Sequence, residues 1–446
     1  MPNRWWKSKD RTSQQPLLAN LFRDVRSLFL GTAGSQLLIV LSLPIVSRLY
    51  SPSEFGVVQS IEAIAQIVMI SSAISYERAF VAARSALDRN RLLYVALALA
   101  CLTACVGVVI STVAFESGPG AARAGDGIQI EYLVLLLLPY FFGKNIFWIL
   151  SSYANSVSLY SDTAKAELKR SIGLVACRII FGVLQFGVWG LFVATLIGSV
   201  VGVVGLSGKT VRFWREDLKR TKIKQCINTA WMYRRFPLFD GLGQFFSVVA
   251  QRLPVVIFGF TFGAAAAGYY GIALLVLNRP LSICMRPIVT VLRTYTGLNS
   301  KQSTKSETPI PIYYLYFLAI GTVVASTFFA FVLTLLFPIV FGEGWAAGGD
   351  LILLMLPNVL AVMILRPMLG ILSAGNQLKP VLYIQFIMLV ASILPLYIGP
   401  QLLGLEFHQT IIAKSVATSI FGVICGILAF AKMRVMLATT PKNIED

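Results

Sequence analysis

Long apolar segments dominate the sequence and limit it to one kind of fold. A helix needs about 20 mainly apolar residues to cross the hydrocarbon core of a bilayer. The 446-residue chain holds twelve such segments, at roughly 28–47, 56–76, 92–114, 131–153, 169–187, 189–207, 236–259, 265–289, 311–336, 351–373, 380–399 and 408–430. The chain is 57% hydrophobic and only 13% charged, about half the charged share of a soluble domain. We therefore predict an all-α, polytopic membrane protein with about twelve transmembrane helices.

An internal repeat divides these helices into two halves. The segments Leu43–Ile61 and Leu253–Ala273 share an apolar helix with proline, a short turn, a Phe-Gly or Ala-Gly step and the start of another helix. Six plus six spans in parallel orientation predict two pseudo-symmetric lobes with a substrate cavity at their interface. The predicted division is a basic cytoplasmic tail, an N-terminal lobe, a basic linker, a C-terminal lobe and a cytoplasmic tail, at 1–27, 28–208, 209–235, 236–431 and 432–446.

Lysine and arginine in the loops predict the orientation. With the N-terminus inside, the cytoplasmic segments hold 30 basic residues and the external segments hold two, Arg48 and Arg123. Basic loops stay in the cytoplasm, so both termini are predicted to be cytoplasmic, and the net charge of +18 needs no nucleic-acid partner. The linker 209–235 carries nine basic residues with Trp214 and Trp231, which predicts an amphipathic helix on the anionic inner leaflet.

Charged residues remain inside the predicted spans. The cations are Lys144, Arg178, Arg252, Arg279, Arg366 and Lys414, and the carboxylates are Glu62 and Asp240. A lysine or arginine at the centre of a membrane helix costs about 2.5–3.5 kcal/mol on insertion scales, so six facing lipid would cost on the order of 15–20 kcal/mol. Two carboxylates cannot neutralise six cations. The sequence therefore predicts a hydrated cavity with excess positive charge, suited to an anion.

Residue spacing places several charges on shared helix faces. Arg279, Arg286 and Arg293 recur every seven residues, close to two helical turns, and would form a ladder from mid-membrane to the cytoplasmic rim. Asp240 lies on a polar stripe of the seventh span with Arg252 at its edge. About 18 Å of helix separates the two, so Arg252 needs another partner. The six cations together with Arg286 are the candidate substrate-binding residues.

Each of these charges also has a purely structural interpretation. The mid-span arginines Arg178, Arg279 and Arg366 either line the cavity or cap a carbonyl or carboxylate. The two lysines either line the cavity or extend to the membrane surface. Glu62 and Asp240 are either proton- or sodium-coupling groups or simple counter-charges.

The sequence lacks the common motifs of catalysis. There is no GxxxxGK[ST] phosphate loop and no His/Cys cluster with metal-ligand spacing, so no cofactor and no metal is predicted. The longest external loop has about 16 residues, at Phe115–Ile130, whereas a membrane-integral transferase more often has large external loops. A transferase stays a remote alternative, with Glu343, Glu406 and His408 as its candidate acid–base residues.

Three segments carry a family resemblance. They are the Arg-Leu-Tyr-Ser-Pro-x-x-Phe-Gly run at Arg48–Gly56 with Tyr76-Glu77-Arg78 after the second span, the repeat of that unit at Arg234–Ala273, and the Phe-Gly-x-x-Trp loop at Phe341–Trp345. Together they resemble Wzx-type polysaccharide-unit flippases of the multidrug/oligosaccharidyl-lipid/polysaccharide (MOP) exporter superfamily, and the likeness extends over essentially the whole chain.

That resemblance implies alternating access between the lobes. An undecaprenyl-diphosphate-linked oligosaccharide would move from the inner to the outer leaflet of the bacterial inner membrane, for O-antigen, capsule or exopolysaccharide. It also implies a polysaccharide polymerase and a chain-length regulator as partners. The drug-exporting branch prefers cationic substrates, which the cation excess disfavours. The alternative substrates are another anionic lipid-linked precursor, such as that of peptidoglycan, or a small organic anion.

Overall fold

Every regular element of the described chain is helical. The computed structural model describes residues 33–72, 76–83, 85–117, 130–218, 221–234, 236–279, 312–374 and 377–438. The N-terminal lobe comprises α1 (Ala33–Leu49), α2 (Pro52–Ser72), α3 (Tyr76–Ala82), α4 (Ala86–Ser117), α5 (Ile130–Ser156), α6 (Tyr160–Val183) and α7 (Gly187–Leu218). After α8 (Ile223–Met232), the C-terminal lobe comprises α9 (Leu242–Phe262), α10 (264–279), α11 (Ile312–Phe341), α12 (Ala346–Ala374), α13 (Leu378–Leu402) and α14 (Phe407–Ala438).

The predicted spans correspond to these helices. In its described part, each of the twelve falls on one of them, with α3 and α8 as additional short helices between spans, so the all-α prediction is confirmed. Seven of the helices are individually long and apolar enough to cross a membrane, counting only described residues. In the segment predicted as the linker, α7 continues to Leu218 and α8 follows, with Trp231 69% exposed on α8.

The outer surface of the helices is as apolar as their interior. Leu41 on α1 and Phe328 and Ile339 on α11 are each more than 70% exposed. Water would penalise large apolar side chains in such positions, whereas lipid tails are as apolar as the protein core. The exposed surface is therefore that of a membrane-embedded bundle.

The two lobes meet through a pair of glycines, which we call the glycine crossing. Gly56 on α2 lies so close to α10 that a Cβ atom there would overlap the carbonyl oxygen of Ala264. Gly268 on α10 is the reverse case, because its Cβ would overlap the carbonyl oxygen of Pro52. Gly56 and Gly268 are 212 residues apart in sequence, as are Pro52 and Ala264, so the contact is the same one seen from either lobe. The repeat in the sequence thus becomes a two-fold contact in the structure.

Beside the glycine crossing, side chains of one lobe cap helix ends of the other. The Trp345 indole Nε1 donates to the carbonyl of Ser47 at 2.7 Å, near the C-terminus of α1. In return, the Ser47 hydroxyl donates to the Phe341 carbonyl at 3.0 Å and Arg48 donates to the Ile339 carbonyl at 3.1 Å, both in the last turn of α11. The last carbonyls of a helix have no partner within that helix, and here the opposite lobe supplies one.

Aromatic packing completes this contact. The Trp345 ring is only 2% exposed and packs edge-on against Phe55 of α2 and Tyr269 of α10, with centroids 5.6 and 6.1 Å away. We call Ser47, Phe55, Tyr269 and Trp345 the Trp345 seal. Together with the glycine crossing, it joins the lobes at one end of the molecule.

Two substitutions at Trp345 should distinguish the contribution of its hydrogen bond to stability from the contribution of its packing. Trp345→Phe keeps a ring but leaves the Ser47 carbonyl without its donor, so we expect a loss of about 1–3 kcal/mol in the free energy of unfolding. Trp345→Ala also opens a cavity, and we expect a loss of about 3–5 kcal/mol. Reversible unfolding in mixed micelles measures both. Unchanged stability in Trp345→Phe would contradict a role for the indole N–H, and equal losses for the two variants would contradict a role for the packing of the ring.

Candidate functional site

An ion pair connects two helices inside the N-terminal lobe. Lys144 on α5 donates to the Glu62 carboxylate on α2, with Nζ and Oε1 2.8 Å apart. The same ammonium donates to the Tyr140 hydroxyl at 3.2 Å. The side chains of Lys144 and Glu62 are 11% and 21% exposed. Lys144 therefore points into the protein and not to the membrane surface.

Two arginines lie around the same carboxylate. Arg178 on α6 is 6% exposed, and its Nη2 donates to the Thr195 hydroxyl at a long 3.5 Å. Its Nε is buried without a hydrogen-bond partner in the described part of the chain. Arg178 and Arg252, the latter on α9 of the other lobe, both lie within electrostatic range of Glu62. We call Glu62, Lys144, Arg178 and Arg252 the Glu62 cluster.

The Glu62 cluster provides a partner for Arg252, which the sequence alone did not identify. Arg252 needed a partner other than Asp240, and Glu62 lies across the lobe interface from it, since α9 packs against α2. One carboxylate thus faces three cations from two lobes. The cluster keeps an excess of positive charge after its ion pair is counted.

A cavity of about 90 Å³ lies inside the C-terminal lobe, and we call it the C-lobe cavity. Its lining comes from five helices, α9, α10, α12, α13 and α14. The polar residues that line it are Ser247, Gln251, Tyr270, Asn278, Asn358, Arg366, Gln385, Ser392, Lys414 and Thr418. Two of these residues are cationic and none is a carboxylate.

Both cations of the C-lobe cavity have neutral neighbours. Arg366 donates from Nη2 to the Gln251 Oε1 at 2.9 Å, and Gln251 donates from Nε2 to the Ser247 hydroxyl oxygen at 3.1 Å. Lys414 is 3% exposed, and its ammonium lies 5.8 Å from the centre of the Tyr270 ring, a weak cation–π distance. The cavity therefore offers positive charge and hydrogen-bond donors.

Three further predicted site residues lie outside these two sets of side chains. Arg279 is half-buried at the end of the described part of α10, next to Asn278 of the C-lobe cavity. Asp240 lies in a single π-helical turn, Phe236–Gly241, and its side chain is outside what the structure describes. Arg286 lies outside the described residues. The structure thus arranges five of the predicted cations in two groups, with Arg279 beside the second.

Sequence reasoning missed the tyrosines of both groups. Tyr140 and Tyr270 are each 1% exposed and lie against Lys144 and Lys414. Tyrosines in apolar spans usually anchor helices at the membrane surface. A signal was present, because Tyr140 and Lys144 are four residues apart on one helix face.

The sequence of this chain matches a known protein family. The profile of a family described as "Polysaccharide biosynthesis protein" matches residues 45–348. That is more than half of the chain. The chain belongs to this polysaccharide biosynthesis family. No curated protein sequence matches it significantly.

Solved structures share the fold of this family member at low sequence identity. A multidrug resistance MATE family transporter of the MOP superfamily, in an inward-facing conformation, has a TM-score of 0.63 at 15% identity, over 91% of this chain and 96% of that one. The lipid II flippase MurJ in an inward closed conformation has a TM-score of 0.64 at 14% identity, over 94% and 93%. A MOP superfamily transporter from Pyrococcus furiosus has a TM-score of 0.58 at 13% identity, over 92% and 94%.

These likenesses confirm the fold class. The chain has the MOP fold and is a multi-pass membrane protein of polysaccharide biosynthesis, as its resemblance to polysaccharide-unit flippases implied. At 13–15% identity the structures compare folds only. What the chain transports has to be argued from its own residues.

Proposed function

We propose that this protein flips undecaprenyl-diphosphate-linked oligosaccharide units across the bacterial inner membrane for polysaccharide assembly. The observation that carries the proposal is that the predicted spans hold six cations and only two carboxylates. The Glu62 cluster sets three cations around one carboxylate, and Arg279 and Arg366 lie half-buried farther along the C-terminal lobe. A diphosphate is the anionic group that a lipid-linked sugar brings into such a site.

The proposed role of these cations is to bind a negative charge that the substrate carries. Buried cations are costly unless a counter-charge, a ligand or water compensates them. An arginine pairs with phosphate oxygens through two parallel hydrogen bonds, which a lysine cannot do. Arg252, Arg279 and Arg366 are therefore the proposed diphosphate ligands on the C-terminal lobe, and Arg178 is the proposed ligand on the other.

Alternating access then needs one end of the lobe interface to open at a time. In the proposed orientation, with both termini cytoplasmic, the glycine crossing and the Trp345 seal lie on the external side. The lobe interface would then be closed on the external side, as expected for a state that takes substrate from the inner leaflet.

Loss of the proposed arginines should stop export without removing the protein from the membrane. A charge-assisted hydrogen bond contributes about 1.5–3 kcal/mol, so we expect Arg366→Ala to weaken diphosphate binding about 10- to 100-fold and the Arg279→Ala, Arg366→Ala double variant to abolish export. Lipid-linked oligosaccharide should then accumulate in the inner leaflet, which its inaccessibility to externally added glycosidase measures.

The matched control removes a charge elsewhere. Arg212 is exposed near the end of α7, and Arg212→Ala should export normally at an equal membrane level. Normal export by the double variant would contradict the proposed substrate site.

A second candidate is a flippase for another anionic lipid-linked precursor. The fold similarity to the lipid II flippase MurJ supports it. Depletion of the protein separates the two, because the lipid that accumulates carries either a polysaccharide repeat unit or a peptidoglycan unit. A polymerase and a chain-length regulator are proposed partners in the first case only.

A further inference from the structure

The C-lobe cavity belongs to one lobe alone. Every described residue that lines it comes from α9, α10, α12, α13 or α14. A glycan that passes between the lobes would contact both of them. An occupant of this cavity instead stays among five helices of a single lobe, whichever way the lobes tilt.

Lys414 supplies positive charge to the cavity. It lies on α14, is 3% exposed, and has the Tyr270 ring as its only charge-related contact within the described residues. Moving an ammonium group out of water costs several kcal/mol unless an opposite charge compensates it. Among the residues that the structure describes, no carboxylate lines the cavity. An anion is therefore the occupant that balances Lys414.

The free donors and the size of the cavity limit what that anion can be. The Ser247 hydroxyl accepts from Gln251, which leaves its own O–H to donate into the cavity. The amides of Asn278 and Asn358 also line it, and each has two N–H donors. A volume of about 90 Å³ has room for an ion and several waters.

We propose that the C-lobe cavity binds a small monovalent inorganic anion, of the halide class, next to Lys414. The Lys414 ammonium supplies the charge, and the Ser247 hydroxyl and the Asn278 and Asn358 amides supply donors. The bound ion stabilises the C-terminal lobe by linking α9, α10, α12 and α14. Arg366, one of the proposed diphosphate ligands, also lines this cavity, but occupancy by the small anion needs no lipid-linked substrate.

Binding of radiolabelled chloride to the purified full-length protein tests the proposal. The protein is placed in phosphatidylcholine nanodiscs without substrate, with gluconate as the background anion. We expect saturable chloride binding that bromide displaces. Lys414→Met should weaken it at least about 10-fold, the loss expected for one charge-assisted contact, whereas Lys414→Arg should retain binding. Lys379→Met, at an exposed lysine of the same lobe, is the matched control and should bind like the wild type.

Each other result overturns the proposal. Absence of saturable chloride binding, or undiminished binding in Lys414→Met, would remove the site. Displacement by pyrophosphate but not by bromide would assign the cavity to the substrate headgroup. If Lys414→Met does not fold, anomalous scattering from bromide in crystals of the wild type decides, because the proposal requires bromide beside the Lys414 ammonium. Export assays are not involved, so failure here leaves the proposed flippase function standing.

Discussion

Glu62→Gln is expected to destabilise the protein by about 3–5 kcal/mol, the usual loss when one partner of a buried charge pair is removed. Glu62 is the counter-charge for Lys144, Arg178 and Arg252 at once. The glutamine keeps the shape and the polar atoms of the side chain but leaves three cations without an anion. The measurement is the free energy of unfolding of the purified protein in mixed micelles.

Lys144→Met should destabilise the protein less, although it removes the other half of the same ion pair. After this change the Glu62 carboxylate still has Arg178 and Arg252 within electrostatic range. The cluster loses one of three cations and keeps its anion. The double variant should be more stable than the sum of the two single losses predicts, because neither residue leaves the other unpaired.

Glu406→Gln is the matched control for this prediction. It makes the same chemical change at an exposed residue between α13 and α14, and surface changes of this kind stay within about 0.5 kcal/mol. If Lys144→Met and Glu62→Gln are equally destabilising, Arg178 and Arg252 contribute nothing at Glu62. That outcome would reduce the cluster to a single ion pair.

The sequence predicted which charged residues the site contains, but not which of them lie together. Counting charges in apolar spans identified Glu62, Lys144 and Arg252 from the sequence alone. The contact between Glu62 and Lys144 joins residues 82 positions apart, and Arg252 reaches Glu62 from the opposite lobe. Periodicity describes which residues share a face of one helix. It contains no information on which helix that face will meet.

The fold was more predictable than the site because it depends on local properties. Span length and apolarity are read within single segments, so the described part of each of the twelve predicted spans falls on a helix. The C-lobe cavity, by contrast, requires five helices to leave space between them. Tyr270 illustrates the difference, since its position under Lys414 depends on the distance between α10 and α14.

The repeat in the sequence allowed a stronger inference than either half alone. Phe55-Gly56 and Ala267-Gly268 occupy equivalent places in the two halves, and each glycine touches the backbone of the other half. A glycine that must lie against a backbone cannot be replaced by adjusting a flexible side chain. The two residues therefore have one shared function, the close approach of α2 and α10.

Gly56→Ala and Gly268→Ala should each destabilise the protein by about 3 kcal/mol, at the upper end of the usual loss for overpacking. In both variants the new Cβ overlaps a carbonyl oxygen of the facing segment, that of Ala264 or that of Pro52. The helices have to separate for either methyl group to fit. The second substitution then adds little, so the losses in the double variant should be far from additive.

Gly426→Ala is the matched control and is expected to change stability in the opposite direction. Gly426 lies within α14 with nothing near the position of a Cβ atom, and alanine is favoured over glycine in a helix by about 0.5–1 kcal/mol. Separation of α2 from α10 should also expose the Trp345 seal. A cysteine at Ala266, which is 7% exposed, should react with a membrane-impermeant maleimide much faster in Gly56→Ala than in the wild type, in an otherwise cysteine-free background. A Gly56→Ala variant that is as stable as Gly426→Ala and equally protected at position 266 would show that the lobes do not depend on the glycine crossing for their contact.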